Sequence, residues 1–154
     1  MAVTGSDDIL GILEASRDIA GAIPGINAAF TTTSTVAAED IHLPAIAQHI
    51  GLEELERATV YFEGQQQRVE FQFVLDVLVE RTSDREADQL AVMPFVGKVL
   101  KVFREKFTLG YPSVIDHCWP VNWRFATIIH GNASFFGIRF IMFCRATSDV
   151  TLSA

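Results

Sequence analysis

"RVEFQFVLDVLVERTSDREADQL", residues 68–90, contains the change of pattern that decides the fold. Up to Thr82, every second side chain is apolar, which is the period of a β-strand with two unlike faces. From Ser83 onward, the apolar residues recur at three- and four-residue spacing, as they do along one side of a helix. The stretch therefore predicts a strand over 68–81 that leads into a helix over 84–107.

The two faces of the predicted strand differ in composition. One face is wholly apolar and consists of Val69, Phe71, Phe73, Leu75, Val77 and Val79. The other face mixes polar and apolar side chains and consists of Glu70, Gln72, Val74, Asp76, Leu78 and Glu80. Such alternation is typical of an antiparallel or mixed sheet with one face on a core. The mixed face has a composition more typical of a subunit contact or a lined channel than of bare surface.

Two features shape the helix that follows. Ser83 and Glu86 form the pattern of a capping box, which predicts that the Ser83 side chain caps the first turn. Pro94 lies in the middle of the helix and would cost about 3 kcal/mol if the helix ran straight through it. We therefore expect a kink or a short break near Met93.

The remaining elements are read from the same periodicities. Ile9, Leu13 and Ile23 belong to an apolar stripe that predicts a helix over 7–23, ended by Pro24 and Gly25. Further strands are predicted over 26–37, 59–63, 121–130 and 134–146. Residues 39–58 are interpreted as a functional or contact loop because of their length, and Pro44 permits an edge strand at most there; residues 108–121 are interpreted as a loop with two prolines. The polar tail 147–154 is expected to be mobile.

The element order predicts an α+β fold in a single domain, residues 1–154. Two helices can cover only one side of a sheet of four or five mostly antiparallel strands, which gives a two-layer sandwich. The far face of the sheet then lacks a cover within the chain. We expect other subunits to cover it.

Composition points in the same direction. Charged residues make up 20% of the chain, against about 25% in typical domains. The chain also has 12 phenylalanines. The apolar excess indicates an unusually aromatic core or apolar surface that another subunit covers. A net charge of -7 argues against a surface that grips nucleic acid, but not against one past which nucleic acid slides. No secretory signal or membrane-spanning run is recognised, so a protein made in the cytoplasm, without a membrane partner, is expected.

No catalytic, metal or cofactor site is predicted. Cys118 and Cys144 fit no zinc pattern and are interpreted as buried thiols, although a bridge between them stays open. His117 and Cys118 are adjacent, and adjacent side chains seldom face each other as a nucleophile and its base. A carboxylate pair for hydrolysis among Glu70, Asp76 and Glu80 is weighed against a solvated or interfacial strand face, which we favour.

Basic and aromatic side chains leave two further alternatives open. The positive residues late in the second helix, Lys98, Lys101, Arg104 and Lys106, favour a solvated helix end over a nucleic-acid patch. The segment "YPSVIDHCWPVNW", residues 111–123, carries Trp119 and Trp123 between prolines. These aromatic residues can fill the edge of the core or anchor a protein partner.

The whole layout resembles the tail terminator proteins of long-tailed bacteriophages, of the lambda type. The resemblance lies in helix 7–23, "LPAI" at 43–46, strand 69–81 with its capped helix, and the hairpin 121–146 that contains "GIRFIMF". It implies a hexameric ring in the virion that seals the tail tube, joins it to the head-proximal neck and lets DNA pass. The partners it implies are further copies of the chain, a tail tube protein and a neck protein, with segments 31–58 and 108–120 as contact loops toward the tube or the neck.

The resemblance also assigns residues to surfaces. It places Glu70, Gln72, Asp76 and Glu80 at a subunit interface or facing a lumen, where negative side chains repel the phosphates of passing DNA. It places the docking of tube or neck on Leu43, Pro44, Ile46, Tyr111 and Trp119. Three alternatives remain: another head–tail connector, a small enzyme or ligand-binding domain with a pocket between sheet and helices, and a regulatory domain that covers its sheet by twofold pairing.

Overall fold

A computed structural model describes residues 3–31, 41–50, 58–130 and 132–149. The helices are α1 Ile9–Gly21, α2 Arg85–Val92 and α3 Pro94–Glu105. The strands are β1 Ala28–Thr31, β2 Ala45–His49, β3 Ala58–Glu63, β4 Gln66–Glu80, β5 Ile115–His130 and β6 Ala133–Asp149. None of the helices in these ranges is both long and apolar enough to cross a membrane.

All six strands belong to one mixed, mostly antiparallel sheet. Its order is β1-β2-β4-β6-β5, and β3 pairs with the first part of β4, on the same side of β4 as β2. Only β1 and β2 run parallel, with Ala28 opposite Ala45. The predicted α+β class is confirmed, with more strands than the four or five expected. The long alternating stretch forms β4, which pairs with β2, β3 and β6 and is therefore the centre of the sheet.

The helices lie on the face of the sheet formed by the odd-numbered residues of β4. Phe73, Leu75 and Val77 are fully buried there in the main core. Gln48 of β2 fixes α1 to this face, because its amide accepts from Ser16 Oγ at 2.7 Å and donates to Leu13 O at 2.6 Å. We call this the helix face, and the opposite side of the sheet the second face.

The second face is covered in its central part by the sheet itself. Phe30 on β1 and His130 on β5 belong to strands at the two ends of the strand order, yet their ring centroids are 5.3 Å apart. The sheet must therefore curl until its ends meet over the second face. Leu78 is fully buried beneath them in a small second cluster with Phe30 and Ile128. The prediction that this whole face needs a cover from outside the chain is wrong for its central part.

The second helical region is broken where the proline predicted a break. Helix α2 ends at Val92 and α3 begins at Pro94, so Pro94 occupies a first-turn position, where its missing N–H costs nothing. The predicted cap is wrong by one residue. Asp84, and not Ser83, is the N-cap residue, and its carboxylate accepts from Ala87 N at 3.2 Å.

Three boundaries differ from the prediction. Residues 45–49 of the predicted contact loop form β2, an internal strand between β1 and β4. Strand β5 begins at Ile115, inside the predicted loop 108–120, and includes Pro120 at an irregular register. Strand β6 continues to Asp149, so the first residues of the predicted mobile tail are ordered, and Ser148 lies 2.7 Å from Ser6 Oγ. The predicted strand 26–37 is β1 only as far as Thr31, and residues 32–37 and 150–154 lie outside the described residues.

Candidate subunit interface

His117 and Cys118 are adjacent in sequence but cannot act as a nucleophile and its base, because their side chains lie on opposite faces of β5. Cys118 is fully buried on the helix face, directly opposite Cys144 of β6. Its burial raises the pKa of the thiol well above its ordinary value, which keeps it protonated. His117 lies on the second face, where its ring stacks on Trp119 with centroids 4.1 Å apart. Within the described ranges, no cluster of three or more potential metal ligands occurs.

Asp76 is the centre of a buried ionic cluster and does not face a lumen. Arg139 binds both carboxylate oxygens, through Nε at 2.9 Å and a terminal nitrogen at 3.0 Å. His49 Nε2 lies 3.1 Å from the same carboxylate. Only 1% of the Asp76 side chain is exposed. The prediction of an interfacial or lumen-facing acid is therefore wrong at Asp76, because the second face curls over it.

The other predicted interface acids do not form one site. Glu70 is half-buried near the hairpin end of β4 and accepts a hydrogen bond from Tyr61, which raises the pKa of that phenol. Glu80 is exposed at the opposite end of the strand, opposite Phe135 in register. Ten residues of strand separate the two acids by about 33 Å. Gln72 lies between them, half-buried and opposite Phe143. No single lumen patch is therefore built from these side chains.

A cavity of about 240 Å³ lies beside the Asp76 cluster, between the curled ends of the sheet. Its walls include Phe30, His49, Asp76, His130 and Arg139. The hydrogen bond to Asp76 raises the pKa of Arg139 further above its already high value, so Arg139 stays charged. The cavity therefore has a permanently charged wall whose cation is already paired.

The five predicted docking residues differ in burial. Ile46 is fully buried in the main core as part of β2, so its assignment to a docking loop is wrong. Leu43 and Pro44 are half-buried, and Leu43 packs against the small second cluster. Tyr111 is half-buried against the main core. Of these five residues, Trp119 is the one that is exposed, with 39% of its surface accessible at the outer edge of β5.

Trp119 forms part of a groove at this edge. The groove has a volume of about 480 Å³ and is lined by Leu100, Arg104, Phe107, Trp119 and Pro120, which we call the edge groove. Two contacts connect the walls of the groove. The ring centroids of Phe107 and Trp119 are 6.2 Å apart, and Cys118 N donates a hydrogen bond to Phe107 O at 2.7 Å. The groove thus joins the end of the α3 region to the outermost strand of the sheet.

A second apolar surface lies at the opposite edge of the sheet. Val60 and Phe62 of β3 point to the helix face beyond the cover of the helices, and their exposed fractions are 50% and 67%. We call these two residues the hairpin patch. The alternation of Val60 and Phe62 in "ATVYFE" indicated a strand, but their exposure follows only from the fold, in which the helices pack mainly on β1, β2, β4, β5 and β6.

Both surfaces adjoin strands that lie at an edge of the sheet. Within the part of the chain that the structure describes, β3 pairs with β4 alone and β5 with β6 alone. Within the described ranges, two backbone N–H groups near the start of β5 donate to segments other than β6: Ile115 N to Tyr111 O at 2.8 Å and Cys118 N to Phe107 O at 2.7 Å. An unpaired strand edge with exposed apolar side chains is a template for another chain.

The two surfaces also differ in charge. The edge groove includes Arg104, whereas Lys101 and Lys106 line a separate pocket beside Ile19 of α1, together with Glu105. Beside the hairpin patch lies Glu63, whose carboxylate is 3.0 Å from Arg68 and 69% exposed. The groove therefore carries the positive charge of Arg104, and the acid beside the hairpin patch is exposed but already paired with Arg68.

The chain matches no protein-family model and no curated protein sequence.

Proposed function

We propose that the chain is a structural protein of a bacteriophage virion that assembles head to tail into a ring, ends the tail tube and joins it to the head-proximal neck. The ring is hexameric in the proteins that the sequence resembles. Its role requires no catalytic residue, metal or cofactor. DNA passes through the ring without being held.

The observation that supports this proposal is the presence of two unlike apolar surfaces at opposite edges of one sheet. The hairpin patch lies on β3 and the edge groove lies along β5. A contact between two different surfaces is heterologous, and such contacts close into a ring when the rotation between copies is suitable. A twofold dimer would instead need one surface that is complementary to itself.

The charge of the chain is compatible with DNA passage. A net charge of -7 repels the phosphate backbone, and counterion release, which drives non-specific DNA binding, needs concentrated Lys and Arg. The exposed acid Glu80 remains available to a lumen or its rim. Asp76 does not contribute, because Arg139 neutralises it.

Deletion of the gene in the phage that carries it tests this function. We expect filled heads and separate tails that do not join, because the piece between tube and neck is missing. Infectivity should return when the protein is supplied from a plasmid. Normal virions from the deletion strain would contradict the proposal. Intact tails that lack only fibres would indicate that the protein occupies another position in the virion.

The cavity beside Asp76 favours a second candidate function, that of a small ligand-binding domain. At about 240 Å³ it is slightly smaller than the roughly 300–1,000 Å³ of common ligand sites. Its charged wall suits a small polar molecule better than an apolar one. A rise in Tm with millimolar phosphate or citrate would support this candidate. An unchanged Tm in both would count against it.

A further inference from the structure

We propose that Cys118 and Cys144 form a redox-sensitive pair, which a small-molecule disulfide converts into a covalent bond between β5 and β6. Both thiols are free and fully buried in the structure. Strand β5 is the last strand in the sheet order, so the bond fastens one end of the sheet to its neighbouring strand. The pair lies within one chain and does not depend on the proposed ring.

The backbone places the two cysteines at a suitable separation. Cys118 lies directly opposite Cys144 in the antiparallel pairing of β5 with β6. The Cys118 N–H points away from β6, because it donates to Phe107 O at 2.7 Å. The two cysteines are therefore a non-hydrogen-bonded pair, in which the Cα atoms are about 4.5 Å apart and the side chains approach closely. This separation lies within the range of roughly 4.4–6.8 Å that a disulfide requires.

The two side chains face the same part of the core. Cys118 and Cys144 both belong to the main core cluster on the helix face. Burial, and then a hydrogen bond with the Cys144 thiol, raises the pKa of Cys118, and that hydrogen bond requires the two thiols to be in contact. The sequence has only two cysteines, so no other disulfide can form within the chain.

Opening of β5 controls access to the pair. In the closed core, the raised pKa keeps Cys118 protonated, and only a thiolate attacks a disulfide. Both register shifts of β5 lie close to Cys118, at residues 115–117 and 120–122. A strand segment whose ladder is interrupted on both sides opens more easily than the regular centre of a sheet. We therefore expect slow crosslinking of the folded chain through local opening of this segment.

The crosslink forms in two exchange steps with glutathione disulfide as the oxidant. Cys118 loses its proton to the solvent, and its thiolate attacks one sulfur of the reagent, whose S–S bond breaks and releases one glutathione thiolate. The Cys144 thiolate then attacks the Cys118 sulfur of this mixed disulfide and releases the second glutathione. The pair loses two electrons and two protons. The reagent gains them and becomes two glutathione thiols.

Incubation of the folded chain with glutathione disulfide tests the proposal. The intact mass should fall by that of two hydrogen atoms, and digestion without a reductant should give the Cys118 and Cys144 peptides joined to each other. The Tm should rise by about 5–10 °C, because the bond closes the loop from residue 118 to residue 144 in the unfolded chain. Dithiothreitol should reverse both changes.

Cys144→Ala is the matched control, with circular dichroism to establish that it folds. It retains Cys118 but lacks the second thiol, so the same treatment should give neither the loss of two hydrogen atoms nor the rise in Tm. Cys118→Ala should behave in the same way. The wild-type measurement does not depend on either variant, because reduction by dithiothreitol supplies the comparison within one protein.

Three results would overturn the proposal. The first is a folded chain that keeps both thiols free for the time in which the urea-unfolded chain is fully oxidised. The second is a product that stops at the mixed disulfide with glutathione or links two chains at twice the 17.0 kDa mass. The third is a crosslinked chain whose Tm is unchanged or lower, because the bond would then not fit the native register. None of these results would affect the proposed ring.

Discussion

The centre of the second face and the two edges of the sheet both lack a covering helix, but their side chains are buried to different extents. At the centre, the curl of the sheet buries Asp76 and Leu78 without help from another chain. At the edges, Phe62 and Trp119 remain exposed because no segment of the described chain lies beyond them. The apolar surface that the described chain leaves exposed thus lies at the margins of the sheet and not over the centre of its second face. Substitutions at the centre should affect folding, and substitutions at the edges should affect assembly.

The largest effect is expected from Asp76→Ala. It leaves Arg139 buried with an unpaired charge, and removal of one partner of such a pair commonly costs about 3–5 kcal/mol. Urea unfolding of the variant measures the loss, and Glu80→Ala at an exposed position of the same strand is the control. The double variant Asp76→Leu/Arg139→Met should be less destabilised than Asp76→Ala, since it removes both charges. A loss below about 1 kcal/mol in Asp76→Ala would show that the centre is open to water.

A second test concerns how tightly the curled sheet closes. Gly137 lies on the second face of β6, where an added Cβ would be 2.2 Å from Val77 O and 2.9 Å from Ile128 Cδ1. Gly137→Ala should therefore lower the free energy of unfolding by about 1–3 kcal/mol through overpacking.

Gly97→Ala is the matched control for that substitution. Gly97 lies in α3 with open space around its missing Cβ, so alanine should stabilise the helix by about 0.5–1 kcal/mol. Opposite signs in the two variants, measured by thermal unfolding, support a closed centre. Equal changes would contradict it.

Part of the fold could be predicted from the sequence. The long alternating strand, α1 and the break before Pro94 follow from local periodicity and proline chemistry, so they were predictable. The burial of Asp76 was not, because its cover comes from Phe30 and His130, which are far apart in the chain. Likewise, Ile46 looked like part of a proline-containing loop, and only its pairing between β1 and β4 makes it core.

The candidate interface was predictable only in part. Trp119 could be proposed as an anchor because it lies among prolines in an aromatic segment. The edge groove could not be, since Leu100 and Trp119 meet only through the fold. The resemblance to tail terminators led to acids on β4, whereas the exposed apolar residues lie on the neighbouring strands β3 and β5.

A smaller effect is expected from pH at the edge of β5. Burial is the main cause that lowers the pKa of His117 below its ordinary value of 6.5, and Arg145 lowers it further while Asp116 and Glu70 oppose the change. The unfolded chain therefore takes up the proton first, so stability should decrease as the pH falls below 6.5 and level off below the lowered pKa.

His117→Phe isolates this contribution, because phenylalanine keeps a ring against Trp119 but does not titrate. The difference in unfolding free energy between wild type and variant should shift in favour of the variant from pH 7.5 to pH 5. Urea titrations at the two pH values measure it. A difference that is constant with pH would show that His117 is not shielded at this edge.

The smallest effect on folding is expected at the hairpin patch. Val60→Thr keeps the shape and the β-branch of an exposed residue, so the free energy of unfolding should change by less than about 0.5 kcal/mol. Assembly should nevertheless weaken about threefold, because the hydroxyl must lose its water in the contact. Light scattering across a concentration series gives this value. A variant that loses stability but assembles as the wild type would reverse the distinction between centre and edge.

Native mass spectrometry of the unmodified chain tests the central claim most directly. Unlike edges that meet head to tail should give one closed species whose mass is a fixed multiple, three or greater, of 17.0 kDa, either alone or on the end of a tail tube. A species that stops at two copies at every concentration would contradict the account, because it would mean that one edge of the sheet pairs with itself.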